Sequence, residues 1–278
     1  MRISIIGLGL IGGSMAIDLK KRGFANHIIG VDSNNLHAHT ALHIGLVDEI
    51  GMLENAIEKT DLVILAIPAN ETIRLLPKIL DLVKAQIVID TCSIKGNICE
   101  RVKYHKNRSN YVATHPMAGT ENSGPWSALS GLFDGKAVIF CDTEESKPEY
   151  LVQVRKMYDF LNMRPLFMNA FNHDVHAAYV SHISHISSFA LALTVLDKEK
   201  NEKNIFDLAS GGFDSTVRLA KSAADMWTPV FEHNSDNIIS VLDTYIEKLN
   251  EFKDAIENNN SIQINDLIQK ANRIKKIV

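Results

Sequence analysis

The stretch RISIIGLGLIGGS, residues 2–14, decides the fold. A short apolar run leads into Gly7-Leu8-Gly9-Leu10-Ile11-Gly12, a GxGxxG with Gly13 behind it, and a helical pattern follows at once. A second apolar run, HIIGVD, ends on Asp32, twenty residues beyond Gly12. Glycine turns after strands are common, so the six residues alone say little. With a strand before, a helix after and the distant acid, they make a dinucleotide-binding fingerprint. Gly7 is expected to form the tight turn, Gly9 to let the backbone approach a pyrophosphate, and Gly12 to seat the helix against the strand. The helix N-terminus then offers free N–H groups and its positive dipole end to phosphates. Asp32 suits ribose hydroxyls and repels a 2'-phosphate, and Ser33-Asn34-Asn35 bring no arginine to receive one, so NAD is favoured over NADP.

Outward from this turn, apolar runs alternate with helical patterns up to about residue 168: HIIGVD, DLVILAIP, QIVIDT, NYVAT, KAVIFC and PLFM. Each is nearly continuously apolar, as strands covered on both faces are. The expected fold is a Rossmann-type, doubly wound parallel α/β sheet over residues 1–168. Strand signals then stop. HDVHAAYVSHISHISSFALALTVLD is a long helical pattern with apolar residues on more than one face, and NSDNIISVLDTYIEKLNEFKDAIENNN is amphipathic. Residues 169–278 therefore read as an all-helical domain that buries its apolar faces by dimerising. The sequence given closes on NDLIQKANRIKKIV, a short basic helix, and no regulatory domain is expected.

The 278 residues, 46% hydrophobic with a formal net charge of −4, suit globular domains and lack the concentrated basic face of a nucleic-acid binder. KEKNEK at 198–203 is mixed in sign and reads as solvated loop. Three cysteines, Cys92, Cys99 and Cys141, share no CxxC spacing and point to a reducing compartment. Arg2 and the run ISIIGLGLIGGSMAI superficially copy a signal peptide, but four glycines interrupt it and no small-residue cleavage site follows. No other uncharged segment is expected to reach membrane-spanning length, so the reading is cytoplasmic, with no membrane partner.

Ligands of open α/β sheets sit at the carboxyl ends of the strands. Ala66-Ile67-Pro68 ends one, Asp90-Thr91-Cys92-Ser93-Ile94-Lys95-Gly96 another, and His115, within THPMAGTENSG (114–124), a third. Ser93 suits either a helix cap or a substrate contact. Ser181-His182-Ile183-Ser184-His185 puts two histidines on one helix face, downstream of His173 and His176. A metal site there lacks accompanying cysteines or a clear carboxylate set, so no metal is expected. Buried, hydrogen-bonded histidines and a substrate role for one of them both stay open. Arg218 and Lys221 share a face after Gly211-Gly212, as a solvated pair or as a fork for a carboxylate.

Taken together, GLGLIGGS, DxxSIK, HPMAGTENSG, the SHxxH helix and GGF....RLA....MW resemble the prephenate and arogenate dehydrogenases of tyrosine biosynthesis, in order and over nearly the whole chain. The resemblance implies NAD-dependent oxidative decarboxylation of prephenate to 4-hydroxyphenylpyruvate by a homodimer. It implies that His115 takes the proton of the ring hydroxyl as hydride leaves the same carbon. Ser93 would bond that hydroxyl, Arg218 would hold a substrate carboxylate, and His182 or His185 would contact substrate. Gly7, Gly9, Leu10, Ile11, Gly12, Asp32, Ala66 and Ile67 are the expected cofactor contacts. Two departures stand out. Asp214-Ser215 occupies the place of the family's Arg-Asp, and SHISH replaces SHLPH, with Ser184 for proline. The alternatives are an arogenate dehydrogenase, a β-hydroxyacid dehydrogenase of similar architecture, and a non-catalytic NAD sensor. The β-hydroxyacid chemistry relies on a helical-domain lysine, and the helix 173–196 contains none.

Overall fold

A computed structural model describes residues 1–200 and 205–277. Two compact units result, Met1–Asn234 and Ser235–Val278. The first is built on an eight-stranded sheet: β1 (Arg2–Ile6), β2 (His27–Val31), β3 (Glu49–Ile50), β4 (Leu62–Leu65), β5 (Ile87–Asp90), β6 (Tyr111–Pro116), β7 (Ala137–Cys141) and β8 (Arg164–Met168), in the order β3-β2-β1-β4-β5-β6-β7-β8. The order turns back on itself between β1 and β4, which places the cleft of a doubly wound sheet beside the glycine turn. Crossovers run through α1 (Leu10–Lys21), α2 (Asn35–His43), α3 (Leu53–Glu58), α4 (Ala69–Leu82), α5 (Gly96–Val102) and α6 (Pro148–Phe160).

Neighbouring residues of one strand enter opposite cores, which is why the strands read as unbroken apolar runs. Ile64 packs with Ile3, Ile5, Met15 and Leu19 on one face, whereas Val63 and Leu65 pack with Leu76, Ile79 and Leu80 on the other. Two features depart from the expected parallel sheet. Strand β3 is only two residues long and leaves no apolar run in the sequence. Strand β7 runs antiparallel to β6, because the segment between them carries a single 3₁₀ turn, Pro125–Ser127, and no crossover helix; β8 then returns parallel through α6.

Past β8 the first unit is helical: α7 (Ala170–Ala177), a π-turn (Ala178–His182), α8 (Ile183–Glu199), α9 (Gly211–Val217) and α10 (Ala224–His233). Residues 201–203 of the expected KEKNEK loop lie outside the described residues, and Lys198 and Glu199 belong to α8. Helices α7 and α8 join through the π-turn into one helix, Ala170–Glu199, whose 30 residues, with an 18-residue window of mean hydropathy 1.3, are enough to cross a membrane by length and composition. This corrects the expectation that no such segment follows the N-terminus. The run from Val175 to Leu196 contains no Asp, Glu, Lys or Arg, and its histidines and serines mask how apolar the rest is. The second unit is a helical hairpin, α11 (Ser235–Glu257) and α12 (Ser261–Ala271). Asn259 turns the chain at φ +50°, and the Asn260 side chain caps α12 by accepting from Gln263 N at 3.1 Å.

Candidate active site

The glycine turn is shaped by what a side chain would meet. Gly7 has φ +94°, and a Cβ there would lie 2.3 Å from the Ala66 carbonyl oxygen. At Gly12 a Cβ would lie 2.0 Å from the Gly7 oxygen, so only glycine lets α1 approach β1. At Gly9 a Cβ would meet nothing within 4 Å. Packing therefore does not demand glycine there, and Gly9 leaves space that a ligand's phosphates can enter. Gly9 is also the N-cap of α1 and has no side chain to cap it, so first-turn N–H groups are left for an anion. The Asp32 carboxylate ties this loop to β2: Oδ2 accepts from Leu8 N and Oδ1 from Asn34 N, both at 2.8 Å. Each oxygen keeps lone-pair capacity for a ribose hydroxyl. These residues fit an NAD diphosphate and ribose.

A cleft of about 290 Å³ opens in front of this turn, within the first unit. Its floor comes from Gly9, Leu10 and Ile11, from Ala66 and Ile67 after β4, from Thr91, Cys92 and Ser93 after β5, and from His115. The loop Ala118–Gly124 and α10 residues Met226 and Val230 close it. Thus Ser93, His115, Gly9, Leu10, Ile11, Ala66 and Ile67 are brought together. Gly7, Gly12 and Asp32 support the turn behind them, while His182, His185 and Arg218 do not line the cleft.

Ser93 lies in the sequence between the two members of a buried ion pair. Asp90 and Lys95, both fully buried, bind each other; Asp90 Oδ1 also accepts from the Tyr111 hydroxyl at 2.6 Å, and its Oδ2 from Cys92 N at 3.1 Å. Burial works against the Lys95 charge, but neighbouring Asp90 outweighs it and lifts the ammonium above its ordinary value. Ser93 does not cap α5. That helix is capped from α7 instead, where Asp174 accepts from Lys95 N and Gly96 N, both at 2.7 Å.

His115 is 7% exposed at the end of β6. Its Nδ1 lies 2.8 Å from His173 Nε2, and His173 Nδ1 lies 2.7 Å from Asp174 Oδ1. Burial, then His173, Lys95 and His182, push the His115 pKa well below 6.5, so the ring is neutral and can accept a proton. His182 is fully buried, its Nδ1 3.1 Å from Asn234 Nδ2; burial pushes its pKa down to about 4. His185 stacks on Trp227 with ring centroids 3.5 Å apart. His173 turns inward, while His176 is exposed. Although Ser184 stands where the family has proline, the π-turn is present, and Ser184 Oγ donates to Val180 O at 3.4 Å.

Arg218 is half exposed and pairs with Glu121 of the cleft loop, Nη1 to Oε2, at 3.0 Å. Asp214 takes Lys221 instead, at 2.9 Å. The displaced acid is therefore not the arginine's partner, and Glu121 fills that place. The sequence pointed to no role for Glu121 or Asp174, and it left His173 among the histidines open to metal binding, buried hydrogen bonding or substrate contact, with no link to His115. The available signals were the Glu inside HPMAGTE and the His-Asp pair opening the helix after β8.

Residues 15–164 match the family model for the prephenate dehydrogenase nucleotide-binding domain, and residues 169–270 that for the prephenate dehydrogenase dimerization domain. The chain is similar to the prephenate dehydrogenase of Lactococcus lactis subsp. cremoris, 29% identical over 279 residues, covering 99% of this chain and 77% of that one. Among solved structures, the Aquifex aeolicus prephenate dehydrogenase in complex with hydroxyphenyl propionate and NAD+ superposes with a TM-score of 0.87 at 28% identity, covering 100% of this chain and 97% of that one. Synechocystis arogenate dehydrogenase superposes with a TM-score of 0.77 at 27% identity, covering 99% of each chain.

Proposed function

The chain belongs to the prephenate dehydrogenase family, and from that premise we propose that it oxidatively decarboxylates prephenate to 4-hydroxyphenylpyruvate with NAD, a step of tyrosine biosynthesis. The observation that carries the reading is that a neutral, cleft-lining His115 shares one cavity with Ser93 and with the Gly9–Ile11 turn. Bound NAD supplies the hydride acceptor. Leu10, Ile11, Ala66 and Ile67 position it, Gly7, Gly9 and Gly12 admit its diphosphate, and Asp32 holds its ribose.

His115 Nε2 accepts the proton of the substrate's ring hydroxyl while the hydrogen on the same carbon departs as hydride. The bond to the ring carboxylate then breaks, its electron pair enters the ring, and carbon dioxide leaves. The new phenol oxygen recovers the proton from His115, so no net proton is taken up or lost at the base. Ser93 orients the hydroxyl. Arg218, at the rim on Glu121, exchanges that partner for a substrate carboxylate, and His185, partly exposed where His182 is fully buried, meets the substrate from the helical side. The protein's contribution is mainly alignment of base, hydroxyl and nicotinamide.

Residues 1–168 act as the nucleotide domain and 169–278 as the substrate and dimerisation domain. Val180, 66% exposed, and Leu193, 61% exposed, leave an apolar surface on the helix Ala170–Glu199. A second copy of this chain is its natural cover, because the same helix is tied into the unit by Asp174 and bears His173, His182 and His185 as well, ionisable groups that a bilayer would penalise. A homodimer in the cytoplasm follows, in keeping with three buried free cysteines. Initial rates with prephenate and with arogenate test the substrate reading. Faster NADH formation from prephenate is expected; preference for arogenate would reassign the side-chain specificity, and turnover of neither would overturn the function.

A further inference from the structure

Asp174 and His173 stand behind the cleft, and the reaction as described gives them no task. The chain of contacts runs from Asp174 Oδ1 to His173 Nδ1 at 2.7 Å, and from His173 Nε2 to His115 Nδ1 at 2.8 Å. Its polarity is forced from one end. A carboxylate only accepts, and Asp174 already accepts from Lys95 N and Gly96 N. His173 must therefore donate from Nδ1, which leaves a lone pair on Nε2. His115 must then donate from Nδ1, which leaves its own lone pair on Nε2.

We propose that His173 and Asp174 are positioning residues that hold His115 in its Nδ1–H tautomer, with Nε2 free to take the substrate's proton. The proposal rests on His115 being the base. Without the pair, a neutral histidine is free to place its hydrogen on Nε2, where it has no lone pair to offer the substrate hydroxyl. The same pair serves the charged state. When His115 becomes an imidazolium, its Nδ1–H still points at a neutral acceptor whose far side faces a carboxylate. Asp174 also fixes the turn that ends in Lys95 and Gly96, so one carboxylate sets both the tautomer of the base and the loop that carries Ser93.

Two substitutions separate tautomer control from packing. His173→Phe keeps an aromatic ring but removes both nitrogens. His173→Gln keeps an acceptor for His115 and a donor for Asp174. The expected result is a fall in kcat of about a hundredfold for Phe, with KM for prephenate and NAD within about twofold, and recovery of most of that loss in Gln. A packing role predicts the reverse order. Nitrogen NMR of histidine-labelled protein, with His115→Asn used to assign the signal, reads the tautomer without turnover. Nδ1–H at His115 in the wild type, lost in His173→Phe, supports the proposal. Nε2–H in the wild type, or kcat unchanged in His173→Phe, overturns it. Failure of the wild type to turn over prephenate would instead overturn the proposed function, and the tautomer measurement would still decide the hydrogen-bond chain.

Discussion

Replacing Gly9 by alanine separates folding from cofactor binding more cleanly than any other change in the glycine turn. The added methyl meets no protein atom within 4 Å, and the residue's φ of −77° and ψ of −159° suit any side chain. Loss of a glycine N-cap costs some tenths of a kcal/mol and the smaller unfolded-state entropy returns a similar amount, so stability should stay within about 1 kcal/mol of wild type. The open space into which the methyl projects is where the diphosphate must approach backbone N–H groups. Pushing it away forfeits about two charge-assisted hydrogen bonds at roughly 1.5–3 kcal/mol each, or about a thousandfold in Kd for NAD. Gly12→Ala makes the contrast, because its methyl would lie 2.0 Å from the Gly7 oxygen and must displace backbone. Thermal unfolding and calorimetric titration with NAD read both effects. Gly9→Ala with wild-type NAD affinity, or with a lost fold, would refute the assignment of the turn.

Three more outcomes follow from the site. Arg218→Ala should raise KM for prephenate about tenfold or more with a smaller change in kcat, since a carboxylate contact is present throughout binding; an unmoved KM would exclude Arg218 as the clamp. Asp32→Ser should erode the preference for NAD over NADP in kcat/KM, and an unchanged ratio would mean that another group reads the ribose. Acid should destabilise the fold early. His182 is neutral when folded, with a pKa of about 4 in place of 6.5, so the unfolded chain takes up its proton first as pH falls. Its contribution is complete above pH 6.5 and is lost progressively towards pH 4, about 2 kcal/mol of it between pH 7 and 5. Urea unfolding at the two pH values checks this, and His182→Gln should flatten the difference.

Local signals carried most of the fold. The turn Gly7–Gly12 is read from a strand, a helix and an acid that are near one another in sequence, and the seven longer strands announce themselves as apolar runs. The two-residue β3 has no run to read, and the reversal of β7 depends on the missing crossover helix between Cys141's strand and Pro116, which composition alone does not mark. In the site, His115 was legible because it ends a strand in the same stretch as a proline–glycine loop. His173 and Asp174 were not, because they lie 58 and 59 residues further along and meet His115 and its loop only through the fold. The same holds for Glu121 and Arg218, 97 residues apart. Neither pair has a periodicity that points to its partner.

In the proposed function His115 takes the hydroxyl proton of prephenate while hydride passes to NAD and carbon dioxide leaves. Simultaneous measurement of NADH and carbon dioxide from prephenate, in wild type and in His115→Asn, tests it most directly. The expected result is one carbon dioxide for each NADH in the wild type, and a kcat lower by about two to four powers of ten in the variant with NAD binding intact. Carbon dioxide release without NADH, or a variant that turns over like the wild type, would contradict it.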